Sequence, residues 1–332
     1  MNAKKANWVN GLDSIRFILA FIVLLSHIHN PFTDLLKHSS SLIVHVAGLL
    51  SEHLFCGAAA VTGFFIISGF VIHYPNKDQM LNVTPFLIRR WVRIGIPMIV
   101  VSAIAWQYHL FSSLPMWSLY CELFYYTLYP LLFRLKSKWV NKLYISYAIA
   151  AIFIVFLIAV GVGAIPSGMF RMRGLYWYIC IAMINLPCWL LGVLLAERID
   201  NITKPVSLQS LWMIRGIAYL LSMMFLALKA HYHINYTYSL VVFALLLYKW
   251  LQMEIVYRRS HPAHFSEYLG KFSYSLYLCH VLGFALFNHF WPTTIYTYFV
   301  EILCAIGVSY IAYLFIEYPS HKLAQRLASA VG

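Results

Sequence analysis

Leu12–His29, LDSIRFILAFIVLLSHIH, decides how the chain folds. It has the apolar content of a membrane-spanning helix, yet it carries Arg16 near one end and His27 near the other. At about 100° per residue, the steps between them return to within roughly 20° of the same face, about 16 Å apart along the axis. Nine of the ten residues between them are apolar. An ionisable side chain within a membrane costs several kcal/mol unless it meets a partner, a polar cavity or a ligand. A functional pocket or channel is the default inference. The plainer alternative is that the two side chains snorkel to opposite headgroup layers and mark the helix ends.

Composition extends that reading to the whole chain. Of 332 residues, 62% are hydrophobic and 11% charged, which predicts an all-α polytopic integral membrane protein over 1–332, a single membrane domain with no fused soluble domain. Cys56, Cys121, Cys180, Cys188, Cys279 and Cys304 fall in or beside apolar runs without paired spacing, so no disulfide or zinc framework is expected. The net charge of +13 is split into short clusters between apolar runs, as membrane topology requires, and excludes nucleic acid as the natural partner. The polar start, Met1–Asn10, lacks a cleavage site and reads as no removable signal.

About ten transmembrane helices are predicted, near 11–29, 54–74, 94–110, 116–133, 143–161, 175–196, 209–228, 235–251, 272–290 and 295–316. Lys4, Lys5, Lys77, Arg89, Arg90, Arg93, Arg134, Lys136, Lys138 and Lys142 fall on one side with most later basic residues; Lys37, Arg171, Arg173 and Lys229 fall on the other. The richer side is expected to be cytoplasmic, with both termini there. In the loop Ser39–Phe55, Leu42, Ile43, Val46, Leu49 and Leu50 oppose His38, His45 and Glu52, the pattern of an interfacial helix. No compact histidine or carboxylate set is present, so no metal is expected.

Four further stretches carry polar chemistry or close packing. GAAAVTGFFIISGFVI, Gly57–Ile72, lets its helix approach a neighbour at Gly63 and Gly69. RRWVRIGIP places Arg90 and Arg93 on one face at the expected start of the third span, suited to phosphate, or to simple anchoring at anionic lipid. PMWSLYCELFYYTLYP puts Trp117 at an outer belt position and Glu122 about one and a half turns deeper, at roughly the depth of His27. Ser118 and Tyr125 belong to its inward-facing stripe, and a buried Glu needs a partner, catalytic or structural. YLGKFSYSLYLCHVLGF buries Tyr277 and His280, and IEYPSHKL ends the last span at Glu317 and Pro319.

In this order, GLDSIRFILAFIVLLSH, GFFIISGFVI, RRWVRI, PMWSLYCELFYYTLYPLL, YLGKFSYSLYLCH and IEYP, the chain resembles the acyltransferase 3 family of integral membrane acyltransferases across nearly its full length. It departs mildly: GAAAVTGFF stands where an acidic GVDxFF pattern is commoner, and Cys121 where an acidic residue often precedes the Glu. The resemblance implies O-acetylation of a cell-surface or lipid-linked glycan in a bacterial inner membrane, with cytoplasmic acetyl-CoA as donor. It implies His27 as catalytic base, Glu122 and Arg16 as catalytic partners, and Arg90 and Arg93 on the donor's phosphates. Trp117, Ser118, Tyr125 and His280 are expected at the carbohydrate acceptor, with the lipid bilayer and acyl-CoA the other partners. A covalent acyl-histidine relay is the variant mechanism. The competing class is a transporter or flippase using Arg16, His27 and Glu122 as a proton or solute path; no inverted repeat is visible to favour it.

Overall fold

The computed structural model describes residues 11–159, 175–232, 235–262 and 264–331. Lys4, Lys5, Arg171 and Arg173, used above for orientation, lie outside them. All regular structure among the described residues is helical, the arrangement that closes backbone hydrogen bonds without help from water. α1 (Leu12–His27) ends at the extended Ile28, and α2 (Pro31–Lys37) leaves at 55° to it. Pro31 loses no bond at a first helical position, and Asn30 Oδ1 caps Phe32 N at 3.1 Å. α3 (Leu42–Ser51) exposes Leu42, Ile43 and Leu50. Behind it, Lys37 Nζ meets Glu52 at 2.6 Å and His45 Nδ1 meets Lys37 O at 2.7 Å. This is the two-faced helix expected in the 39–55 loop, preceded by the short turn of α2.

The remaining helices are α4 (Gly57–His73), α5 (Val83–Gln107), α6 (Met116–Arg134), α7 (Trp139–Ala159), α8 (Leu175–Arg198), α9 (Leu208–Tyr232), α10 (Tyr236–Ser260), α11 (His264–Gly270), α12 (Ser273–Phe290), α13 (Tyr298–Ala312) and α14 (Tyr318–Ala330). Each of the ten apolar segments is helical over most of its described residues; 160 and 161, expected in the fifth, lie outside them. By length and composition, five helical runs among the described residues can cross a bilayer: α7, α8, α9, α10 and α13 with α14; bent α1–α2 makes a sixth. α8 is apolar and buried around its circumference, with Ile184, Trp189, Val193 and Leu195 all enclosed, and is the centre of the bundle. α4 lies directly against it. A Cβ on Gly69 would strike the Trp189 carbonyl, and one on Gly192 the Ile66 carbonyl. A Cβ on Gly63 would come within 2.9 Å of Leu19 on α1. Small residues therefore set the spacing of α1, α4 and α8. α7 and α9 turn Ile152, Val155, Met213 and Leu220 outward, as lipid-facing helices do.

Several boundaries differ from the sequence reading: α7 starts at Trp139, not 143, α10 runs to Ser260, not 251, and two more have a clear physical reason. α5 begins at Val83, not near 94, because Pro85 is tolerated in a first turn and the arginine run continues the same helix. Pro97 then leaves the Arg93 carbonyl without its intrahelical donor. Ser320 Oγ of α14 supplies one, 2.8 Å from Val92 O and 3.4 Å from Arg93 O. The last span does not stop at Glu317 and Pro319 either. A π turn over Tyr313–Glu317 passes the chain into α14. The wide turn absorbs Pro319 near the start of the new helix, where its missing N–H costs little.

Candidate active site

α1 and α12 bring His27 and His280 together, with His27 Nδ1 3.3 Å from His280 Nε2. Each ring also reaches a carbonyl one turn back in its own helix: His27 Nδ1 lies 2.9 Å from Val23 O, and His280 Nδ1 3.1 Å from Leu276 O. A carbonyl can only accept, so His280 carries its proton on Nδ1 and offers Nε2 as an acceptor. His27 Nδ1 faces two acceptors and therefore holds the other proton. By elimination, His27 Nε2 keeps its lone pair. The ring is exposed, because it stands in the wall of a cavity of about 1730 Å³, while His280 is 0% exposed behind it.

That cavity opens at the C-terminal end of α1. Trp106, His109, Trp117, Trp177, Asn185 and Tyr277 contribute to its walls, and the 3.0 Å ion pair of His29 with Asp34 stands beside its opening. Its volume exceeds the roughly 300–1,000 Å³ of an ordinary small-molecule site, leaving room for two reactants at once.

Glu122 is not at the depth of His27. Gly57 of α4 abuts Ser26, beside His27. Glu122 Oε1 accepts from Ser68 Oγ at 2.8 Å and from the Tyr126 hydroxyl. Ser68 stands eleven residues beyond Gly57, about 16 Å down α4. By the same register, in which Gly63 meets Leu19, Glu122 sits at the level of Arg16. The reason is that α6 starts recessed. The 3-10 turn Phe111–Ser113 is exposed, but Leu114 and Met116 after it are buried, and Trp117 meets Phe65 of α4 edge-on, ring centroids 6.2 Å apart, instead of sitting in an outer belt. Trp189 Nε1, 3.2 Å from Ser68 Oγ, completes the hydrogen-bond chain around the carboxylate.

The arginines gather at the opposite end from the cavity. Arg16 Nη1 is 3.3 Å from Asp13. Glu317, which accepts from Ser275 N at 3.1 Å and from Ser275 Oγ at 2.6 Å, lies within electrostatic range of Arg93 and Arg16. Arg90 stands within range of Arg93, Tyr126 and Glu122, and its Nε is buried with no partner. With α5 beginning at Val83, Arg90 and Arg93 lie two turns or more inside the helix, so its N-terminal amides add nothing to their field.

The structure thus brings Arg16, Arg90 and Arg93 into one cluster and places His27 in a cavity. Among the four residues expected at the acceptor, Trp117 alone lines that cavity. Ser118 is buried, 2.5 Å from the Tyr277 hydroxyl. Tyr125 is 0% exposed and donates to Ala182 O at 2.8 Å. His280 touches His27 and is not a wall residue. Wall residues missed by the sequence reading had signals of their own. Asn185 is a lone amide inside an apolar run. His109 takes a left-handed φ of 59° at the end of α5, a position usually given to glycine, and so marks a constrained loop at the cavity.

A bundle of apolar helices with a histidine-lined cavity at one end and an arginine cluster at the other defines a multi-pass membrane protein with a polar interior. The model of the acyltransferase 3 family, described as an acyltransferase domain, matches residues 9–317, and the chain belongs to that family of membrane acyltransferases. No curated protein and no solved structure matched it.

Proposed function

We propose that the protein transfers an acetyl group from acetyl-CoA to a sugar hydroxyl of a cell-surface or lipid-linked glycan, with His27 as general base. The observation that carries this is His27 standing in the wall of a cavity large enough for acceptor and thioester together, with its Nδ1 engaged and Nε2 left to take a proton. As the acceptor oxygen attacks the thioester carbonyl carbon, its proton passes to Nε2. The carbon–sulfur bond then breaks, and the same proton goes to the leaving thiolate, so ester and free coenzyme A are formed and the enzyme is restored. The direct step is favoured over an acyl-histidine relay because room for both reactants makes a covalent stage unnecessary. In this reading Arg90 and Arg93 hold the donor's phosphates at the cytoplasmic end. Arg16, tied to Asp13, shapes that mouth. Glu122 balances Arg90 and does not orient His27.

Purified protein should release coenzyme A thiol from acetyl-CoA only when a hydroxylated glycan is supplied. Solute movement with no thiol release would instead support a transporter. Arg93→Ala should weaken acetyl-CoA binding ten- to a hundredfold, the loss of about 1.5–3 kcal/mol for one charge-assisted contact. Calorimetry on monodisperse protein checks this, and unchanged binding would leave the arginines as anchors only.

The topology belonging to this proposal has ten spans in a bacterial inner membrane with both termini cytoplasmic. Five of the six native cysteines are buried, so background labelling is low. Ser112→Cys should react with an impermeant maleimide from outside the cell, and Asn201→Cys only after permeabilisation. The reverse pattern would invert the orientation.

A further inference from the structure

A base needs only one imidazole, yet a second stands directly behind the first. His280 is fully enclosed and its Nδ1 is tied to Leu276 O, so its Nε2 can only accept. That nitrogen lies 3.3 Å from His27 Nδ1, the same nitrogen that meets Val23 O. The Val23 carbonyl alone is a contact that a helical histidine reaches locally; the second acceptor, brought from a distant helix, fixes the ring plane. In a dry bundle a carboxylate in this place would leave a standing charge to desolvate, whereas a neutral imidazole does not. Among the hydrogen bonds of the described residues, neither ring is joined to a carboxylate. The titratable groups around the cavity are His29, paired with Asp34, Tyr277, bonded to Ser118, and the wall residues Glu52, Cys56, His109, Tyr120, Tyr178 and Lys229.

We infer that His280 is a positioning residue for the transfer: its Nε2 holds His27 in the Nδ1–H tautomer and steadies the imidazolium formed when Nε2 takes the acceptor's proton. This rests on His27 acting as the base. His280 Nε2 is enclosed and already accepts from His27 Nδ1–H, so the acquired proton, the third on the pair, sits on His27 Nε2, where the leaving sulfur can collect it; a fourth would set like charges side by side.

The test compares His280→Leu, His280→Gln and His27→Gln in detergent, matched for thermal stability, using acetyl-CoA and the accepted glycan. His280→Leu should lower kcat about ten- to a hundredfold, the worth of one charge-assisted hydrogen bond, with KM for acetyl-CoA within about threefold. The acid limb of kcat/KM should move to lower pH by about half a unit to one unit, because the contact favouring the charged ring is gone. His280→Gln carries an amide oxygen near the position of Nε2 and should recover most of the turnover and the original acid limb. Equal losses in Leu and Gln variants with an unmoved limb would overturn the inference in favour of packing. So would wild-type turnover in His280→Leu. If His280→Leu does not fold, a hundredfold loss in a stable His280→Gln with the wild-type limb is equally fatal. Should His27→Gln retain full activity, the base reading itself fails; should it be inactive while His280→Leu is normal, only this inference fails.

Discussion

His27→Ala loses at least a hundredfold, and up to about ten-thousandfold, of the transfer rate while acetyl-CoA affinity stays within a few-fold, the range a positioned general base supplies. Donor affinity survives because the arginine cluster is at the other end of α1, about 16 Å away by helical rise. His27→Gln fails similarly, since an amide keeps a hydrogen bond but cannot take a proton at Nε2. His29 provides the control. It is two residues on, past the end of α1, and pairs with Asp34 at 3.0 Å, so His29→Ala should cost only a few-fold. Acetyl transfer and thiol release on stability-matched variants make the comparison. Equal losses at both histidines would point to a shared structural role.

Glu122→Ala is expected to cost about 2–5 kcal/mol of stability. The Ser68 and Tyr126 hydroxyls lie 3.0 Å apart and can satisfy one donor between them, but the other is stranded in a buried layer at about 1–3 kcal/mol, and a void opens beside them. Arg90 loses a carboxylate within electrostatic range at the same stroke. Glu122→Gln keeps an acceptor and should cost roughly half as much. Equilibrium unfolding in detergent gives the difference. A Glu122→Ala protein as stable as wild type but inactive would return the carboxylate to the chemistry.

How far the sequence was legible follows physical lines. Apolar runs show in composition, so all ten helical segments could be placed, and the Arg16–His27 spacing identified a polar face because helical periodicity is local. Gly69 betrayed a close approach because only a missing side chain allows the α4–α8 contact. What escaped depends on how distant segments meet. Burial of Leu114 and Met116 recesses the start of α6 and carries Trp117 and Glu122 below their expected levels, and nothing in PMWSLYCEL encodes that depth. His280 sits on a helix far along the chain, so its pairing with His27 exists only in three dimensions. α5 was begun too late because Asn82–Pro85 is polar and proline-bearing, although such residues suit a helix start as well as a loop.

The central claim is that an acyl group enters at the arginine end and leaves on a hydroxyl at the His27 end. The direct measurement uses oriented proteoliposomes with acetyl-labelled acetyl-CoA supplied only at the arginine face and the glycan only at the cavity face. The account predicts label in the glycan, matched one for one by thiol on the donor side and lost in His27→Gln. Label that reaches the glycan undiminished in His27→Gln, or solute that crosses with no thiol released, would contradict it.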